Sequence, residues 1–156
     1  MHQQCKRSMR LQMTKPFDAD LYENDDDAKF LVWDWFNARG HIIVLNPDQY
    51  GIDLLGIDRS ERMCAWEVEV KHNWKGYEFP FDTVHYSLRK RKFVKPDVVT
   101  WFITLNHERT RAVVVSGKDV MEARIIQKST IYTQDEWFME IPIRRGIFVD
   151  LEMEGL

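Results

Sequence analysis

Between Gly51 and His72 the chain reads GIDLLGIDRSERMCAWEVEVKH, and this segment limits the possible folds more than any other. Two apolar runs rich in β-branched residues, 52–57 and 64–70, flank the polar cluster Asp58-Arg59-Ser60-Glu61-Arg62, which is the pattern of a β-hairpin. A turn centred on Glu61 sets Asp53 opposite Glu69, and Leu55 opposite Glu67. Side chains alternate along a strand, so Glu67, Glu69 and Lys71 share a face with Asp53, while Trp66, Val68 and Val70 take the other, buried one. Three carboxylates and one ammonium thus converge beside a core. Charges placed there are costly unless something neutralises them. A divalent cation would do so. A cross-strand ion pair between Lys71 and one carboxylate is the plainer alternative, common on half-exposed hairpins and of little energetic weight.

An Asp that opens one strand, followed after a hairpin by Glu-Val-Lys closing the next, resembles the PD-(D/E)XK nuclease superfamily, which includes restriction enzymes, Holliday-junction resolvases and phage nucleases. The matching residues are Asp53, Glu69 and Lys71. The resemblance covers roughly residues 25 to 105, and its motif is short. It implies that Asp53 and Glu69, with the backbone carbonyl of Val70, hold Mg²⁺, for which Mn²⁺ would substitute. Such a metal activates a water and polarises the scissile phosphate. Lys71 would position that water or steady the charge growing on the phosphate, and Glu67 would either meet the metal through water or pair with a cation. The literal Pro47-Asp48 is not the motif acid, because it precedes Gly51 in a stretch that reads as a loop; Asp58 points to the opposite face from Asp53. In the superfamily an acid on the first helix often completes the site, which makes Asp27 the candidate, ahead of Glu23 and Asp26. The same acids also read as a solvated helix-capping cluster.

Along the chain, residues 1–24 lack periodicity and read as a flexible arm, and residues 25–156 as a single domain. Asp25-Asp26-Asp27 opens a helix whose apolar stripe is Ala28, Leu31, Val32, Trp35 and Phe36 and which Gly40 closes. Residues 41–45 form the first strand. In the loop 72–80, Trp74 and Tyr77 are placed to stack on bases or to pack inward. Residues 82–94 read as a helix ending in Arg89-Lys90-Arg91-Lys92, residues 97–105 as a central strand buried on both faces, and 111–115 as its hairpin neighbour. Ser116 with Asp119 starts a short helix over 117–124. The remainder reads as an irregular appendage of short strands. The expected fold is therefore α/β: an α-β-β-β-α-β core of restriction-endonuclease type, a mixed sheet flanked by helices, with a C-terminal β-rich extension.

The chain has 156 residues and a formal net charge of −3, which by itself argues against nucleic-acid binding. Its distribution argues the other way. From Lys71 to Lys95 there are seven Lys and Arg residues against Glu78 and Asp82, directly after the carboxylate cluster. A substrate that needs both a metal and a cationic cradle is a phosphodiester. Lys75, Arg89, Lys90, Arg91 and Lys92 are the candidate DNA contacts. His85 and Tyr86 are weaker ones. No glycine-rich phosphate loop, zinc-binding histidine spacing or nucleophile elbow is present. Cys5 and Cys64 make neither a disulfide framework nor a thiolate metal site. With no apolar run of membrane-span length and no signal-peptide core, a cytoplasmic location is expected. The functional expectation is a Mg²⁺-dependent endonuclease acting on DNA, with a homodimer compatible with the resemblance. The alternative is a catalytically inactive nucleic-acid-binding or protein-interaction module on the same fold.

Overall fold

In the computed structural model, residues 19–129 and 135–151 are described, with side chains described from Asp26 onward. The proposed arm up to residue 18, Cys5, Ile131, Tyr132, Glu152 and Glu154 lie outside the described residues. Helix α1 spans Ala19–Asn37, so Asp25 to Asp27 lie within it rather than at its start. Its buried side is Ala28, Val32 and Phe36, and it ends where the amide of Gly40, at φ +91°, donates to the Asn37 carbonyl. Leu31 is instead 37% exposed.

Strands β1 (Ile42–Leu45), β2 (Leu54–Ile57) and β3 (Met63–Val70) follow as an antiparallel meander. The expected helix over 82–94 is not formed. Its first half is strand β4 (Thr83–Ser87), in which Val84 and Tyr86 turn inward with period two, and Leu88–Phe93 form 3₁₀ turns. Then come β5 (Val99–Leu105), β6 (Arg111–Ser116), α2 (Gly117–Met121), β7 (Arg124–Lys128), β8 (Glu136–Pro142), a 3₁₀ turn at Ile143–Arg145, and β9 (Ile147–Asp150). The hydroxyl of Ser116 caps α2 by accepting the Asp119 amide, but the helix stops at Met121 and Arg124 already belongs to β7.

Six strands form a mixed sheet in the order β1-β2-β3-β5-β6-β9, in which β3 and β5 run parallel. Strands β4-β8-β7 form a second, antiparallel sheet. The crossover between β3 and β5 therefore passes through a strand and 3₁₀ turns, where an α-helix was expected. Nor are the last strands an appendage: β9 extends the main sheet alongside β6, and β7 and β8 build the second sheet with β4.

The main sheet is buried on both sides, as its apolar runs require. On one side α1 packs Val32 and Phe36 over Ile43, Leu54, Trp66 and Val68, with the Phe36 and Trp66 ring centroids 5.3 Å apart. On the other, Val84, Tyr86, Met139 and Ile141 of the second sheet cover Phe102, Val113 and Val115. Each such side chain contributes about 1.5–3 kcal/mol by leaving water. Among the described residues no helix is long and apolar enough to cross a membrane.

Candidate active site

The hairpin forms, but its register is shifted from the expected one. Leu54 pairs with Trp66 and Leu55 with Ala65, which extrapolates to Asp53 opposite Glu67 rather than Glu69. The loop explains the shift. Asp58 Oδ1 accepts the amides of Ser60 and Arg62, its Oδ2 takes Arg62 Nε at 2.8 Å, and Glu61 adopts φ +61°. A shift by two residues keeps side-chain parity, so Asp53 remains on the face of Glu67 and Glu69.

Asp53 is held where the ladder ends. Its Oδ2 accepts the Val68 amide at 2.8 Å, standing in for the next backbone carbonyl of β2. The Asp53 carbonyl accepts the Asn46 amide, and Asn46 Nδ2 donates to the Ile52 carbonyl, fixing the strand entry. Asp48 stays in the preceding loop, where its Oδ1 accepts the Tyr50 amide.

Asp53, Glu67, Glu69, Val70 and Lys71 all line one cavity of about 470 Å³, closed on its other side by Val84, His85, Arg89 and Lys90. On β3, Glu67 lies beside Phe102 and Glu69 beside Thr104 of β5, so both carboxylates are on the side of the sheet that the second sheet covers.

Two ammoniums that the hairpin does not supply neutralise this cluster. Lys29 Nζ, from α1, lies 3.1 Å from Asp53 Oδ1. Lys90 Nζ, from the 3₁₀ turns, lies 2.9 Å from Glu67 Oε2 and 2.5 Å from Glu69 Oε1. Lys90 is only 9% exposed, so its ammonium is engaged inside the protein rather than presented for the DNA contact expected of it. Burial pulls its pKa down, but Glu69 and then Glu67 more than offset this, and the ammonium titrates above the ordinary lysine range. Glu67 is pushed up to about 8, first by burial and then by the Asp53 carboxylate, against the pull of Lys90. The imbalance has a simple source: Lys90 has Glu69 as a second partner, while Glu67 has Asp53 set against it.

Lys71 is placed differently from both. Its ammonium lies 4.7 Å from the centre of the Phe81 ring. Burial lowers its pKa, Lys128 lowers it further, and Glu69 partly restores it. Neutral lysine is thus more accessible here than in water, which suits a group that handles a proton.

The remaining expected contacts scatter. Asp27 does not line the cavity; α1 reaches it through Lys29 instead. Arg89 lines it and is exposed. Arg91 Nη2 donates to the Met121 carbonyl, Lys92 lies 5.6 Å from the centre of its neighbour Phe93, and Lys75 sits on the exposed loop outside the cavity. Trp74 is fully buried against Phe79 and Phe148, so it packs and does not stack on a ligand; Tyr77 is 58% exposed, with the Arg111 guanidinium over its ring.

Lys29 and Lys90 are site residues that the sequence reading missed or misplaced. A signal for Lys29 existed: it precedes Val32 by three residues and Phe36 by seven, on the buried flank of α1.

The donor set is one of hard oxygens, and Glu67 Oε1 is buried with no hydrogen-bond donor. Both features fit a hard divalent cation. Yet among the described residues no three His, Cys, Asp or Glu side chains are grouped to hold a metal ion by themselves. A cation here would draw on two carboxylates and a backbone carbonyl, and would compete with Lys29 and Lys90 for them. No protein-family model matches this chain, and no curated protein sequence matches it.

Proposed function

We propose that this chain is a metal-dependent nuclease that hydrolyses DNA phosphodiester bonds, with a PD-(D/E)XK-like site. The observation that carries the reading is the convergence of Asp53, Glu69, Val70 and Lys71 on one cavity whose rim bears cations. A divalent ion bound by Asp53, Glu69 and the Val70 carbonyl would supply an acidified water and charge neutralisation at the phosphate. The protein's own residues do the rest. Asp53 is held rigid by the Val68 amide, so its position costs little reorganisation during reaction. Lys71, half-buried with a lowered pKa, can accept or return the proton of an attacking water. Arg89 at the rim is available to a strand phosphate.

A second reading is favoured by the ion pairs of Lys29 and Lys90, which already neutralise the carboxylates: a binding module that holds nucleic acid without cutting it. Incubation with plasmid, linear and branched DNA in Mg²⁺ or Mn²⁺ separates the two. Cleavage that disappears on chelation and in both Asp53→Ala and Lys71→Ala supports the nuclease. Binding without cleavage of any of these substrates supports the module.

A further inference from the structure

The second sheet carries an arrangement that the PD-(D/E)XK-like motif does not involve. His85 on β4 lines the cavity beside Lys71. Its Nε2 lies 2.9 Å from Glu140 Oε2 on β8 and 3.1 Å from Thr83 Oγ1. Its Nδ1 lies 2.6 Å from Lys128 Nζ on β7. An ammonium has only protons to offer, so Nδ1 must accept, and the imidazole proton is on Nε2, donated to Glu140. Glu140 thereby fixes the tautomer, and the tautomer fixes Lys128. The Lys128 ammonium also rests 4.7 Å from the centre of the Phe138 ring. Its ammonium is therefore held by two partners, although the residue is exposed.

Lys128 does not itself line the cavity, but its ammonium is held against His85, which lines it together with Lys71. Among the described residues neither lysine has a carboxylate within ion-pair distance. Glu136, the cross-strand neighbour of Lys128, accepts a hydrogen bond from Ser87 Oγ instead, and Glu140 is taken by His85. Holding two cations together at a half-buried rim is unfavourable until an anion lies between them.

We propose that Lys128, aimed by the Glu140–His85 pair, forms with Lys71 a clamp for a backbone phosphate of a nucleic-acid strand at the mouth of the cavity. The identity of the ligand rests on the nucleic-acid reading above. His85 and Glu140 are positioning residues that act through Lys128.

The test is fluorescence anisotropy of the full chain with a labelled DNA oligonucleotide in EDTA, repeated across NaCl concentrations. Lys128→Ala is expected to weaken binding about tenfold and to lower the slope of log affinity against log salt by about one, whereas Lys128→Arg stays near wild type. His85→Ala is expected to weaken binding too, and adding Lys128→Ala to it should cost little more, because the two act as one unit. Wild-type affinity and slope in Lys128→Ala overturn the clamp. Fully additive losses overturn the positioning role. Lys128-dependent binding without metal-dependent cleavage would sink the hydrolytic reading alone, and cleavage with Lys128-independent binding would sink the clamp alone.

Discussion

Lys90 Nζ lies 2.9 Å from Glu67 Oε2 in a region where Glu67 is 6% exposed and Lys90 9%. So deep a pairing costs more to break than to keep, because either group would be left buried without its partner. The ammonium comes from the 3₁₀ turns after β4, so it ties the crossover to β3 and closes the cavity floor.

Lys90→Met is therefore expected to lower unfolding free energy by about 3–5 kcal/mol, since it leaves buried Glu67, with partly exposed Glu69 beside it, without its cationic partner. Denaturant titration measures this. If the carboxylates take a divalent ion, millimolar Mg²⁺ or Mn²⁺ should restore more stability to the variant than it adds to the wild type, because binding to the native state alone is stabilising. Equal gains in the two proteins would argue that no metal reaches these oxygens.

Glu67 gives a pH signature. Its folded pKa of about 8 lies above the ordinary 4.5, so between those values the native state binds more protons than the unfolded one. Stability from this group is present below pH 4.5 and is lost as pH rises toward 8. Glu67→Gln, uncharged throughout, should flatten that decline and gain on the wild type by about 1–3 kcal/mol near pH 8. Denaturation midpoints at pH 5, 6.5 and 8 measure the difference. Parallel curves for the two proteins would mean that Glu67 is ionised throughout.

For activity, Lys71→Ala should reduce metal-dependent cleavage by about 10²–10³-fold in kcat, the loss typical when a charge-stabilising group is removed from a site. Lys71→Arg should not rescue it, because guanidinium cannot release a proton near neutral pH. Single-turnover cleavage with saturating DNA isolates the chemical step. Full activity in Lys71→Arg would reduce the residue to a phosphate contact.

The strands around the site were legible because their signals are local. Alternation along 64–70 set Glu67 and Glu69 on one face, and that parity survived a register two residues away from the expected one. The register itself was not legible, since it turns on Asp58 capturing the Ser60 and Arg62 amides. Residues 82–94 carried two patterns at once: Val84 and Leu88 at helical spacing, and Val84 and Tyr86 at strand spacing. The strand prevailed because Ile141, far along the chain, pairs with Val84. The second sheet, and with it Glu140, Lys128 and their contacts to His85, is hidden for the same reason. The carboxylates stand out along β3 alone, whereas Lys29 and Lys90 come from other elements, so their pairing with Asp53, Glu67 and Glu69 is set by tertiary packing that no local pattern carries.

Trp74 illustrates how an aromatic loop can mislead, and it supplies a clean contrast with Tyr77. The Trp74 carbonyl accepts the His107 amide at 2.7 Å, and its ring packs edge-on against Phe79 and Phe148 with centroids 5.0 and 6.0 Å away. Truncating such a side chain leaves a cavity that the rigid second-sheet core cannot close. Trp74→Ala should cost about 3–5 kcal/mol of stability, and Trp74→Phe distinctly less. Tyr77→Ala removes an exposed ring whose main partner is the Arg111 guanidinium at 3.7 Å, so it should cost under about 1 kcal/mol. Thermal denaturation of the three variants checks the order. If Trp74→Ala melted with the wild type and instead lost DNA affinity, the ring would have to leave the core to meet a base, and the loop 72–80 would be a binding element after all.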